Sequence, residues 1–146
     1  MRLLRYRPRS VAETRERLRS LGFTDQEIDK TISTAEAADL LNDEAFARLW
    51  VEDRLLHHPL SRRAIQQELA EKKIDRETIN AALERLYPAE KEKELALELA
   101  QARMAKYANL DRNRAMQRTI SFLTRRGFSF SLARTVVRSL SGGRND

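Results

Sequence analysis

The chain has 146 residues, 41% of them apolar, with four Gly, three Pro and no Cys. That length fits one domain able to bury a core, and the absence of Cys excludes disulfides and thiolate chemistry. Few turn-forming residues stand against many Leu, Ala, Glu and Arg, so the expected fold is all-α. The net charge of +6 is unevenly spread. Residues 1–19 hold seven Arg against two Glu, residues 20–110 hold thirteen Lys or Arg against eighteen acids, and residues 111–146 hold eight Arg against two Asp. Basic ends on an acidic middle can meet phosphates with one region and a basic protein surface with another. The start MRLLRYRPRS lacks an apolar core of signal-peptide length and no run is long enough to span a bilayer, so a soluble cytoplasmic protein is expected.

Ser10 with Glu13, and Thr24 with Glu27, fit the S/T-x-x-E capping box, which starts helices near residues 11 and 25. Gly22 ends the first in a left-handed turn, and the second is expected to run through Ile28, Ile32 and Ala35 to about Leu41. Asn42 or Asp43 caps a long helix with the stripe Phe46, Leu49, Trp50 and Leu56, closed by Pro59. Trp50 is read as a core anchor in preference to an exposed stacking residue. Ser61 opens a short helix through Ile65 and Leu69, and Asp75 opens another through Ile79, Leu83 and Leu86. Pro88 precedes a helix reaching about Ala108. Asp111 caps an Arg-rich helix that Gly127 ends, and the last helix covers Leu132 to Leu140 before the tail SGGRND.

The chain repeats itself. SVAETRERLRSLGFTDQEIDKTI from Ser10 lies on SRRAIQQELAEKKIDRETINAAL from Ser61 without a gap, pairing Leu18 with Leu69, Phe23 with Ile74, Ile28 with Ile79 and Ile32 with Leu83. In AMQRTISFLTRRGFSFSLARTVV the same positions are Leu123, Phe128, Ala133 and Val137, and Gly127 matches Gly22. Repeats of this kind are small helical units that bury a core only by stacking. The expected architecture is a curved, elongated array of eight or nine helices in three-helix units: a truncated unit 1 at 1–41, unit 2 at 42–87, unit 3 at 88–141, and a flexible tail at 142–146. Unit 1 has only RLLRY where the others have a leading helix.

LNDEAFARLWVEDRL at 41–55, SRRAIQQELAEKKIDRETINAAL at 61–83 and ISFLTRRGFSFSLARTVV at 120–137 resemble the RecX family of regulators of the RecA recombinase, and the resemblance covers essentially the whole chain. It implies a non-enzymatic modulator, with no catalytic residue and no cofactor. Such a protein lies in the groove of the RecA filament on DNA and suppresses its ATPase, strand exchange and co-protease activities. The implied partners are the RecA filament and single- and double-stranded DNA, met directly or through RecA, with the chain acting as a monomer. Lys73 departs from the family plan, which usually has Gly there, and a lysine fits only with strain or a shifted turn.

No P-loop, HExxH or Gly-rich dinucleotide loop is present. His57 and His58 are neighbours, which on a helix sends them to different faces; a solvent-facing helix end is the reading, over a metal site. Glu52 with Asp53, and Asp43 with Glu44, read as helix-start or solvated acids over an acid–base pair. The candidate contacts to RecA or DNA are basic: Arg62 and Arg63 at a helix start, where the dipole disfavours cations, Lys72 and Lys73 at a turn, and Arg112, Arg114, Arg118, Arg125 and Arg126 spread over the exposed side of one helix beside Phe128 and Phe130. The alternative reading is a free-standing helical protein that holds the DNA backbone alone.

Overall fold

A computed structural model describes residues 9–142 and forms, among them, eight helices and no strand. They are α1 (Val11–Ser20), α2 (Asp25–Ala37), α3 (Asp43–His57), α4 (Arg62–Glu71), α5 (Arg76–Leu86), α6 (Ala89–Lys106), α7 (Arg112–Arg125) and α8 (Phe130–Gly142). The starts follow from side-chain caps. Ser10 and Thr24 complete both capping boxes, and Asn42, Ser61, Asp75 and Asp111 each accept the N–H three residues on. The expected leading segment RLLRY lies outside the described residues.

Three boundaries differ from the sequence expectation. α2 stops at Ala37, because Asp39 turns left-handed at φ 61° and the Leu40 N–H reaches back to the Ala35 carbonyl at 2.7 Å. α6 stops at Lys106 in place of Ala108. α8 begins two residues early, since the Ser129 hydroxyl accepts from the Leu132 N–H at 3.0 Å, and it continues through Gly142 with Ser141 buried. Residues 143–146 of the expected tail lie outside the described residues.

Two cores organise the chain. α3 to α5 share Phe46, Ala47, Val51, Ile65, Leu69, Ile74, Ile79, Leu83 and Tyr87; α6 to α8 share Ala96, Ala100, Phe122, Leu123, Phe128, Ala133, Val136 and Val137. All eight repeat positions of these two groups are therefore buried. In the first copy Ile28 and Ile32 are buried, while Leu18 is half-buried and Phe23 is 47% exposed. The stripe of α3 is corrected: Phe46, Ala47 and Val51 face inward, and Leu49 and Leu56, seven residues apart, share the opposite face, with Leu56 75% exposed. Trp50 is half-buried at the rim of the core. Its ring stacks on Phe46 with centroids 5.6 Å apart and its Nε1 donates to Glu68 at 2.8 Å.

The three equivalent helices α1, α4 and α7 end alike. In each, the residue after the C-cap is left-handed and the next N–H returns to the carbonyl five residues back: Phe23 to Leu18, Ile74 to Leu69, Phe128 to Leu123. Gly22 and Gly127 supply two of these turns and Lys73, at φ 64°, the third, so the lysine is accommodated by strain and the turn is not shifted.

These turns are also where neighbouring groups join. The buried Ser10 hydroxyl, while capping α1, donates to the Lys72 carbonyl at 3.1 Å, and the Val11 N–H donates to Asp43 at 3.0 Å. Burial raises the Asp43 carboxyl above the ordinary carboxylate range, with Glu36, Asp75 and Glu13 adding to it against the opposing Val11 bond. At the next junction the equivalent Ser61 donates its N–H to the Arg126 carbonyl at 3.0 Å. Gly127 there allows close approach: a Cβ on it would stand 2.5 Å from the Ser61 hydroxyl and 2.8 Å from Ala64 Cβ, whereas one on Gly22 would meet nothing within 4 Å.

Gly22→Ala is therefore expected to cost about 1–2 kcal/mol from backbone strain alone, and Gly127→Ala a further ~1–3 kcal/mol from the collision. Lys73→Gly should stabilise by roughly 0.5–1 kcal/mol, the strain relief exceeding the added freedom of the unfolded chain. Urea unfolding measures all three; equal losses at the two glycines would remove the close-packed junction from the account.

Candidate nucleic-acid interface

The phase of α7 decides which of its arginines are free. Ala115, Thr119, Phe122 and Leu123 are buried, and at 3.6 residues per turn Arg114, Arg118 and Arg125 fall within roughly 40° of one another, about 100° round from that stripe. Ser121 shares their face. α6 supplies the neighbouring wall, with Tyr107 half-buried and the Arg118 guanidinium 5.9 Å from its ring. Together Tyr107, Gln117, Arg118, Ser121 and Arg125 line an open hollow of about 450 Å³ that contains no carboxylate. Arg103, one turn earlier on α6, lies 3.9 Å over the Phe122 ring.

None of Arg103, Arg114, Arg118 and Arg125 forms an ion pair among the described residues. Uncompensated guanidiniums beside an aromatic ring can fork onto phosphate oxygens and offer a stacking surface to a base. Arg103 and Tyr107 were not among the candidates read from the sequence. Their signal was present as an i, i+4 pair in the last turn of the helix preceding the Arg-rich one.

Arg112 and Arg126 do not share the exposed face. Both fall in the sector of the buried stripe, so each reaches over an edge of the core to a main-chain carbonyl. Arg112 bonds the Ser141 carbonyl, and Arg126 donates to the Pro59 carbonyl at 2.9 Å with its guanidinium 4.9 Å from Phe122 on the junction side. Burial lowers the Arg126 pKa, and repulsion from Arg103 and Arg125 lowers it further.

The partner that keeps Arg62 at a helix start lies within the chain. Its Nε donates to the Tyr87 carbonyl at 2.7 Å, its second arm pairs with Glu84 at 2.8 Å, and its own N–H donates to Glu92 at 3.0 Å. Beside it the buried Tyr87 hydroxyl donates to the Leu60 carbonyl at 2.7 Å, and burial holds that proton well above the usual phenol range. Lys72 pairs with Glu13 at 2.7 Å and lies 5.3 Å over Trp50. Arg63 and Lys73 are exposed, on α4 and the turn after it. His57 and Asp53 form an exposed i, i+4 pair at 3.9 Å, and among the described residues no group of His, Asp and Glu could hold a metal ion.

Models of the first, second and third three-helix domains of RecX match residues 1–33, 42–83 and 90–137. The Regulatory protein RecX of Amycolatopsis mediterranei is 35% identical over 136 residues, spanning 93% of this chain and 77% of that protein. Its namesake from Streptomyces coelicolor is 34% identical over 138 residues, 94% and 73% of the two chains. The crystal structure of RecX from Lactobacillus salivarius superimposes with a TM-score of 0.79 at 25% identity, covering 96% of this chain and 90% of that one.

The division among the arginines is measurable. Replacing Arg114, Arg118 and Arg125 by Ala should flatten the log–log salt dependence of binding to single-stranded DNA by roughly two units, at about 0.7 per phosphate neutralised, and should leave stability within ~0.5 kcal/mol. Arg126→Ala should do the reverse, lowering stability by ~1–3 kcal/mol through the orphaned Pro59 carbonyl and the lost cover over Phe122. An unchanged salt slope in the triple variant would return these three arginines to simple solvation.

Proposed function

Because the chain belongs to the RecX family of regulatory proteins, we propose that it binds RecA nucleoprotein filaments and inhibits RecA ATPase, strand exchange and co-protease activity. The observation that carries the DNA-facing part is the unpaired arginine face of α6 and α7. A filament repeats its own sites at fixed intervals, so an array of stacked helical groups can make several weak contacts at once with a high effective concentration. The role asks for no chemistry from the chain: it holds a conformation of its partner and does not transform a substrate. No described helix is long and apolar enough to cross a membrane.

Free binding to the DNA backbone is the competing reading, and the same arginine face favours it. The two separate on coated against bare DNA. A filament modulator binds RecA-coated single strands more tightly than naked ones, while a backbone binder holds both alike.

The deciding measurement is ATP hydrolysis by RecA on single-stranded DNA as the protein is added. Inhibition is expected at less than one molecule per RecA subunit, since one array reaches more than one subunit. The Arg114, Arg118 and Arg125 triple variant is expected to need more protein for the same inhibition. Arg62 is unsuited to this test, because its reversal first breaks the guanidinium contacts to Glu84 and to the Tyr87 carbonyl. Undiminished hydrolysis with excess wild-type protein and RecA of the same organism would sink the proposal.

A further inference from the structure

Between α3 and α6, where the middle helices meet the last three, runs a groove of about 530 Å³. Leu55, Leu95 and the fully buried Tyr87 give it an apolar floor, and Leu56 stands in it 75% exposed. Glu52, Glu94 and Glu98 line its rim with a single cation, Lys91. None of these four has an ion-pair partner among the described residues, whereas Glu13, Glu68 and Glu84 are each paired. An exposed leucine among uncompensated carboxylates is unusual on a chain whose net charge is +6.

We infer that this groove is a docking site for a basic amphipathic helix of a protein partner, with apolar side chains on Leu55, Leu56 and Leu95 and Lys or Arg against Glu52, Glu94 and Glu98. The flanking α3 and α6 present the kind of channel that takes a helix by its i, i+3/i+4, i+7 anchors. The carboxylates set its sign: they repel phosphate, so nucleic acid is excluded, and they leave basic residues as the complement to a leucine-bearing face. On α6, Lys91, Glu94, Leu95 and Glu98 lie roughly 130° round from Arg103, so this groove and the arginine face open on different sides of one helix and can be filled together. The inference deepens the proposed function by giving the protein component of a filament its own surface. It rests on that reading for the partner's identity and not for the groove's chemistry.

The probe is a synthetic helical peptide of leucines at that spacing flanked by arginines, followed by fluorescence anisotropy against the full chain, with a second peptide carrying Glu in place of Arg. Two variants are compared, Leu56→Ser and the triple Glu52→Gln, Glu94→Gln, Glu98→Gln, both at exposed side chains and checked for an unchanged melting midpoint. The basic peptide should bind the wild type, more weakly as salt rises, and lose about tenfold in affinity on each variant; the Glu peptide should not bind. No binding to the wild type, equal binding to the variants, or equal binding of the Glu peptide would each overturn the groove. So would a concentration-dependent dimer that Leu56→Ser abolishes, since the occupant would then be a second copy. On RecA-coated DNA the variants should lose inhibition and keep the bare-DNA salt slope; inhibition equal to that of the wild type also overturns the groove. If the wild type never slows RecA, the proposed function fails and the groove is judged on the peptide alone.

Discussion

A helix that ends in a left-handed turn leaves carbonyls facing outward, and the position of each helical group on its neighbour depends on how those carbonyls are met. Lys72 and Arg126 stand at the C-caps of α4 and α7, and each carbonyl accepts a hydrogen bond from a buried serine that starts the equivalent helix of the preceding group. Ser10 donates from its hydroxyl and Ser61 from its main-chain N–H, and both hydroxyls receive the N–H that they cap. A buried polar pair of this kind contributes modestly when made and costs more when half of it is lost. That asymmetry fixes register between groups whose apolar contacts are mostly internal.

The sequence carried more of this than single-residue propensities could. The gapless match of Ser10 with Ser61, and of Gly22 with Lys73 and Gly127, located the caps, the turns and the eight buried positions of the two complete cores. Local rules sufficed there because caps and left-handed turns are made by residues within five of one another. What was not legible is set by distant groups. Leu49 and Leu56 read as core because they fit a helical apolar spacing, yet Ala47 and Val51 are the residues that α4 and α5 cover. Arg62, Arg112 and Arg126 looked like surface charge, and each instead meets a carbonyl or carboxylate at least 22 residues away. Composition cannot tell a guanidinium that serves the fold from one that awaits a ligand; helix phase relative to the buried stripe can.

That sorting changes the electrostatic picture. The basic C-terminal region is not one sheet of positive charge, because Arg112 and Arg126 already face main-chain oxygens while Arg103, Arg114, Arg118 and Arg125 do not. The acidic middle divides likewise. Glu13, Glu68 and Glu84 neutralise Lys72, Arg54 and Arg62, and carboxylates along α3 and α6 are left without an ion pair among the described residues. Opposite fields on different sides of one helix orient the molecule between a polyanion and a basic surface before any contact forms.

The third copy departs from the other two at the start of its Arg-rich helix, where a hydroxyl is missing. Where α1 and α4 have Ser10 and Ser61, α7 has the buried Ala115, which has no hydroxyl to cap a helix. α7 instead continues backward by a turn to its cap at Asp111, reaching 14 residues where α1 and α4 have 10. The added turn is where Arg114 projects outward in line with Arg118 and Arg125, and where Arg112 ties the helix to the end of α8. A serine at residue 115 would favour starting the helix there and would remove the first arginine from the row. Alanine at residue 115 thus goes with a longer arginine row on the surface that the proposed function assigns to nucleic acid.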